Sequence, residues 1–230
     1  CYLVGTNSGI FWPKGSWIRK PGTAIIDFFE VIQPGMPLND FMKKIEKGIE
    51  KQSTFLAIPE EVYVTNDEGL LGFAFHPNFE KNRRYFFMHE VRDGNYRGMV
   101  IGERKASVNL RKDSGAPTKK ILEFEVATEF HHGGGIEFGP DGYLYIGMGD
   151  GGPQEDPLGN AQNLNSFSGK ILRININKKE NGKMYSIPEN NPFIKHPNKI
   201  ALKEIYAYVL RQNCRFSFYS KTKDCLLYTS

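Results

Sequence analysis

Cysteine is scarce in this sequence: three residues in 230, at Cys1, Cys214 and Cys225. None belongs to a Cys-x-x-Cys pair, which argues against a zinc knuckle or a dithiol redox site. The odd count leaves the redox compartment open. Long apolar runs are missing too, and no stretch approaches the roughly 20 residues of a membrane-spanning helix. There is no large excess of one charge. Lys and Arg number 30 against 26 Asp and Glu, a formal net charge of +4, too mild for a nucleic-acid surface built on clustered basic residues. The densest basic stretch, "MKKIEKGIEK" (Met42–Lys51), is interleaved with Glu and reads as a solvated helix face. The opening "CYLVGTNSGIFW" has no initiator Met, charged leader or cleavage site. It reads as a start partway through a first strand, with any secretion signal outside this segment. No internal repeat of fixed period is visible, only a loose echo of apolar strand, turn and aromatic strand.

What is present is globular. Hydrophobic residues make up 40% and charged residues 24%, an ordinary balance for a chain long enough to bury a core. Most of the patterned sequence has strand character: Ala24–Ile32, Leu70–His76, Tyr85–Val91, Gly98–Arg104, Lys120–Val126, Gly135–Gly139, Tyr143–Gly149, Gly169–Ile176, Glu204–Leu210 and Arg215–Tyr219. Short β-branched and aromatic runs separated by Gly, Pro, Asn and Asp indicate an all-β sandwich, barrel or propeller. "GPDG" (Gly139–Gly142) is the best turn signal, with Pro presetting φ, Asp bonding its own backbone and Gly accepting positive φ. One helix is expected over Pro37–Gln52, capped by Asn39 or Asp40, with Phe41, Ile45 and Ile49 on one face.

The chemistry-bearing residues crowd around one hairpin, "FHHGGGIEFGPDGYLYIGMGDGG" (Phe130–Gly152). An imidazole titrates near neutral pH and suits general-base work. Glycines beside it let backbone and a flat ligand approach closely. Shared metal ligation by His131 and His132 is awkward, because neighbours on a strand point to opposite faces. Asp150 could ligate a metal, bond its own loop or orient a cofactor. The loop "PQEDPLGNAQNLNS" that follows has hard-ligand residues without the spacing of a calcium loop. His76 and His89 read as structural.

The ordered set "DEGLLGFAFHPNF", "HHGGGIEFGPDGYLYIGMGDGG", "GNAQNLNSFSGKILRINI", "YSIPENNPF" and "EIYAYVLRQNCRFSF" resembles the glucose/sorbosone dehydrogenase family. That family holds soluble pyrroloquinoline-quinone (PQQ) sugar dehydrogenases and hedgehog-interacting-protein-like proteins. The resemblance implies an all-β six-bladed β-propeller, here truncated to roughly three to four blades. It implies that residues 1–224 are the N-terminal part of that propeller, a fragment holding about the first half of the ring. An open half-ring is expected to self-associate and to be inactive by itself. The tail 225–230, "CLLYTS", breaks the family pattern and is expected to be non-native.

For function, the resemblance implies oxidation of an aldose at C1 to the lactone, with PQQ and Ca2+ as cofactors and an electron acceptor of unknown identity. Counting back from Gly139 places the family's catalytic base at His131, while His132 falls where Asn or Gln is usual; which of the two faces the site stays open. Arg211 aligns with an arginine that contacts the PQQ carboxylates, a task suited to a planar guanidinium; a strand-end salt bridge is the alternative. Gln212, Asn213 and Cys214 replace the family's Asn, Pro and aromatic residue. Glu68, or Asp67, is expected at the cofactor side, and Asp150 and Gln212 are further candidate cofactor contacts. Metal ligands are not assigned. A non-catalytic binding propeller with an extracellular protein partner is the alternative function. The expected location is periplasmic or secreted.

Overall fold

The computed structural model describes residues 69–218 without a break, together with 4–6, 25–28, 36–40, 42–43, 54–58, 61–63 and 225–228. Thirteen strands are described. They are β1 (Val4–Thr6), β2 (Ile25–Phe28), β3 (Thr54–Ala57), β4 (Leu70–Phe75), β5 (Arg84–Asp93), β6 (Tyr96–Lys105), β7 (Lys119–Glu125), β8 (Gly135–Phe138), β9 (Leu144–Gly147), β10 (Lys170–Ile174), β11 (Ile205–Tyr208), β12 (Arg215–Phe218) and β13 (Cys225–Tyr228). One helical turn, Phe79–Asn82, joins β4 to β5.

Each sheet is an antiparallel meander whose sequence neighbours are spatial neighbours: β1-β2-β3, β4-β5-β6-β7, β8-β9-β10-β11 and β12-β13. Two complete four-stranded blades thus lie between a three-stranded and a two-stranded sheet, the arrangement of a partial β-propeller. The first strands of successive blades are adjacent, with β4 packed on β8 and β8 on β12.

The expected strands are all found; most are trimmed at their ends, β5 and β6 run longer than expected, and β7 is shifted by one residue. The expected helix appears as helical backbone at 38–40 and 42–43; the rest of it, with Phe41, Ile45 and Ile49, lies outside the described residues. Strand β3 has no counterpart in the sequence reading, because "TFLA" is too short to display a period. In the tail, β13 pairs with β12 from Arg215↔Tyr228 to Phe218↔Cys225.

The cores sit between blades. In β5 successive residues serve opposite faces. Phe86 and Met88 pack with Ile136, Leu144 and Ile146 of the following blade. Tyr85 and Phe87 pack with Phe55 and Leu56 of the preceding sheet. All four β5 side chains are fully buried, so this strand reads as a continuous apolar run. Each such side chain contributes about 1.5–3 kcal/mol of burial. A third cluster, Tyr145, Ile171 and Phe216, joins the second full blade to β12.

Candidate functional site

Blade topology gathers distant loops at one end. The start of β8 pairs with the end of β9, Gly135 opposite Gly147. The β7–β8 connection, which carries His131 and His132, therefore lies beside the loop leaving β9, which carries Asp150. The β11–β12 connection joins them: the Gly135 N–H donates to the Asn213 carbonyl at 2.9 Å, and the Asp150 N–H to the Arg211 carbonyl at 2.8 Å. His131, Asp150 and Arg211 are thus brought together. Glu68 and Asp67 lie outside the described residues.

His131 and Asp150 form a buried pair, His131 Nδ1 standing 2.8 Å from Asp150 Oδ1. The same carboxylate oxygen accepts the Gly152 N–H at 2.8 Å. Asp150 therefore bonds its own loop and also orients the imidazole. A carboxylate only accepts, so His131 Nδ1 carries the hydrogen, which leaves Nε2 as the nitrogen that can take up a proton. His131 is 8% exposed, and its Nε2 makes no hydrogen bond among the described residues. The backbone at His131 is left-handed, φ 52°, a sparsely populated state for a residue with a Cβ.

The glycines are there for proximity. A Cβ on Gly149 would lie 1.8 Å from the His131 carbonyl oxygen, and one on Gly133 would lie 2.3 Å from the Gly147 oxygen. Any side chain at either position would separate His131 from Asp150.

The second imidazole turns away. His132 Nδ1 meets Glu90 Oε1, a carboxylate on β5 in the neighbouring blade. This settles which histidine faces Asp150, and the two rings share no ligand position. Glu90 escaped the sequence reading. Its only signal is a carboxylate inside the apolar run "YFFMHEV". His76 is tied into the fold by Asn177, Asn82 and the Asn78 N–H. His89 is buried and stacks on Phe87.

Arg211 is exposed and has no ion pair among the described residues, so the salt-bridge alternative finds no support there. Gln212 is half-buried. Asn213, 1% exposed, stands where the resemblance expects proline and ties the end of β9 to β10: its Nδ2 donates to the Met148 carbonyl at 3.2 Å and the Lys170 carbonyl at 3.4 Å.

The Asp/Asn/Gln-rich loop is organised by side chains. Asp156 accepts the Asn160 and Ala161 N–H groups, each at 2.9 Å. The fully buried Lys170 donates from Nζ to the carbonyls of Asn160, Ala161 and Ser168 at 2.8, 3.0 and 2.7 Å. Burial lowers the Lys170 pKa to about 8, against a smaller opposing pull from Asp156. Among the described residues no three His, Cys, Asp or Glu side chains group as a metal site. No helix among them is long and apolar enough to cross a membrane.

The sequence profile of the glucose/sorbosone dehydrogenase family matches residues 42–227. The HIPL1 protein of Arabidopsis thaliana is 33% identical over 215 residues, 74% of this chain and 31% of that protein. An aldose sugar dehydrogenase of Escherichia coli is 30% identical over 66% of this chain and 38% of its own length. The human hedgehog-interacting protein is 30% identical over 63% of this chain and 21% of its own length. The chain thus spans between about a fifth and two fifths of the length of these curated relatives. The PQQ-bound aldose sugar dehydrogenase of Streptomyces coelicolor superposes with a TM-score of 0.59 at 18% identity, over 98% of this chain and 59% of that one. At that identity the likeness is one of fold.

Proposed function

This chain belongs to the glucose/sorbosone dehydrogenase family, and on that premise we propose that it supplies the base side of a PQQ-dependent aldose dehydrogenase. The reaction is oxidation of the sugar at C1 to the lactone. The observation that carries the reading is the His131–Asp150 pair, with Nδ1 committed to the carboxylate at 2.8 Å and Nε2 left as an acceptor.

In this mechanism His131 Nε2 takes the proton of the C1 hydroxyl. The Asp150 carboxylate stabilises the resulting imidazolium and keeps the ring in the acceptor tautomer, as in other histidine–carboxylate pairs. PQQ, when bound, supplies the two-electron acceptor for the C1 hydride. Arg211, exposed and unpaired among the described residues, would hold one of its carboxylates, a task suited to a guanidinium. Gln212 flanks that anchor, and Glu68 or Asp67, outside the described residues, is proposed as a further cofactor contact. Calcium, the other cofactor of this reading, has no ligands assigned: among the described residues no three His, Cys, Asp or Glu side chains group together. The location that goes with this activity is periplasmic or secreted.

A second reading has its own support. "RQNCR" departs from the family segment at Gln212, Asn213 and Cys214, and the relatives include a hedgehog-interacting protein. Under that reading the full-length protein is a non-catalytic propeller that binds an extracellular protein. The test is to titrate the full-length protein with PQQ and calcium and follow dye-coupled oxidation of a panel of aldoses. PQQ-dependent turnover is expected, with none from the 230-residue segment alone. A well-folded protein that neither binds PQQ nor turns over any aldose would overturn the dehydrogenase reading in favour of the binding propeller.

A further inference from the structure

The proposed chemistry uses one imidazole of the pair and leaves the other unexplained. His132 is 1% exposed and Glu90 is 0% exposed, and they belong to different blades. His132 Nε2 lies 2.7 Å from the Thr128 carbonyl oxygen. A carbonyl only accepts, so Nε2 carries a hydrogen. Nδ1 faces Glu90 Oε1. Two bare lone pairs do not meet at hydrogen-bond distance, so one proton lies between these atoms. Whether it sits on nitrogen or oxygen, the pair as a whole carries no net charge, which is the condition for burying it so completely.

The pair also closes the loop that presents His131. His132 reaches back to Thr128, whose Oγ1 donates to the Gly151 carbonyl and accepts the Phe130 N–H at 3.2 Å. His131, with its left-handed backbone, is enclosed by these ties. Glu90 is itself fixed: its N–H donates to the Gly69 carbonyl at 3.2 Å, and its carbonyl accepts the Tyr63 N–H at 2.9 Å.

We propose that His132 and Glu90 are a second histidine–carboxylate dyad, a positioning pair. It shares one buried proton across the blade seam and holds His131 in its site-facing conformation. The kinetic part of this inference rests on the reading of His131 as the base; the shared proton does not.

The test uses the full-length protein with 15N-labelled histidine. His132 is expected to show a strongly downfield imidazole proton that persists from about pH 5 to about pH 9. It should disappear in Glu90→Gln, which keeps the shape of the side chain. In kinetics with saturating PQQ, Glu90→Ala is expected to lower kcat by roughly 10- to 100-fold, with the sugar KM changed by less than about twofold. Glu90→Gln combined with His132→Asn, which rebuilds the tie as an amide pair, should recover kcat to within about threefold of wild type. No downfield proton in the folded wild type would overturn the shared proton. Wild-type kcat in Glu90→Ala, with the His131 ring resonances unmoved, would overturn the positioning role. Should Glu90→Ala fail to fold, Glu90→Gln carries the same comparison. If the wild type has no turnover at all, the base reading fails. The His131 ring shift between wild type and Glu90 variant then decides the positioning role alone: a shift supports it, and unmoved resonances overturn it.

Discussion

The connections β7–β8 and β11–β12 occupy the same place in two successive blades, each delivering the chain to a first strand at the same end. They are built differently. The β7–β8 connection is stitched from several sides: Asp150 holds His131, and Glu90 with the Thr128 carbonyl holds His132. The β11–β12 connection commits its backbone carbonyls to its neighbours and leaves Arg211 exposed. On the proposed reading, the difference separates two tasks. A general base needs one tautomer and one orientation before substrate arrives. A carboxylate anchor can be ordered by the ligand it binds, at some cost in affinity.

Breaking the stitched loop should have the largest effect. Asp150→Asn, which disturbs the tautomer at His131, is expected to lower kcat by at least about 100-fold, with the melting temperature as the control for folding. Arg211→Ala should act on binding. It is expected to weaken PQQ by about 10-fold or more and to leave thermal stability unchanged, since the side chain is exposed and unpaired among the described residues. An equilibrium PQQ titration beside a thermal melt checks both. Asn213→Ala removes two donated hydrogen bonds and should cost about 1–2 kcal/mol of stability, read by denaturant unfolding.

The smallest effect expected is in acid. Burial lowers the pKa of His89 and of His76 from the ordinary value of 6.5. The unfolded chain then binds more protons than the folded one between the lowered pKa and 6.5. Stability should be full above about pH 6.5 and fall as pH drops through that window. Glu103 and Glu204 are also held below their ordinary value of 4.5. Burial opposes this, but their partners outweigh it: Arg84 and Lys119 at Glu103, and Lys183 and Tyr185 at Glu204. Their stabilisation should be lost in a second, lower window. Unfolding free energies measured from neutral to acid pH would show a two-step decline. A flat profile down to about pH 5 would contradict the histidine part.

The same contrast explains what was legible in the sequence. The hairpin carrying His131 and Asp150 stood out because glycines are written beside both, in "HHGGG" and "GMGDGG", while the placing of the base at His131 rather than His132 rested on the family resemblance and stayed open. The blade strands could be found because β-branched and aromatic runs end in turn residues. Glu90 could not: it lies 42 positions from His132 in a strand whose other residues announce only burial. The structural use of Asn213 was hidden for a similar reason. At that position the sequence shows a departure from a family segment, and only packing shows the two carbonyls its amide serves.

The measurement that bears most directly on the central claim is the turnover of His131→Ala in the full-length protein. With PQQ saturating and aldose varied, the variant should bind the cofactor as wild type does and lose roughly 100- to 10,000-fold in kcat. Cofactor binding with turnover within about tenfold of wild type would contradict His131 as the base and return the pair with Asp150 to a purely structural role.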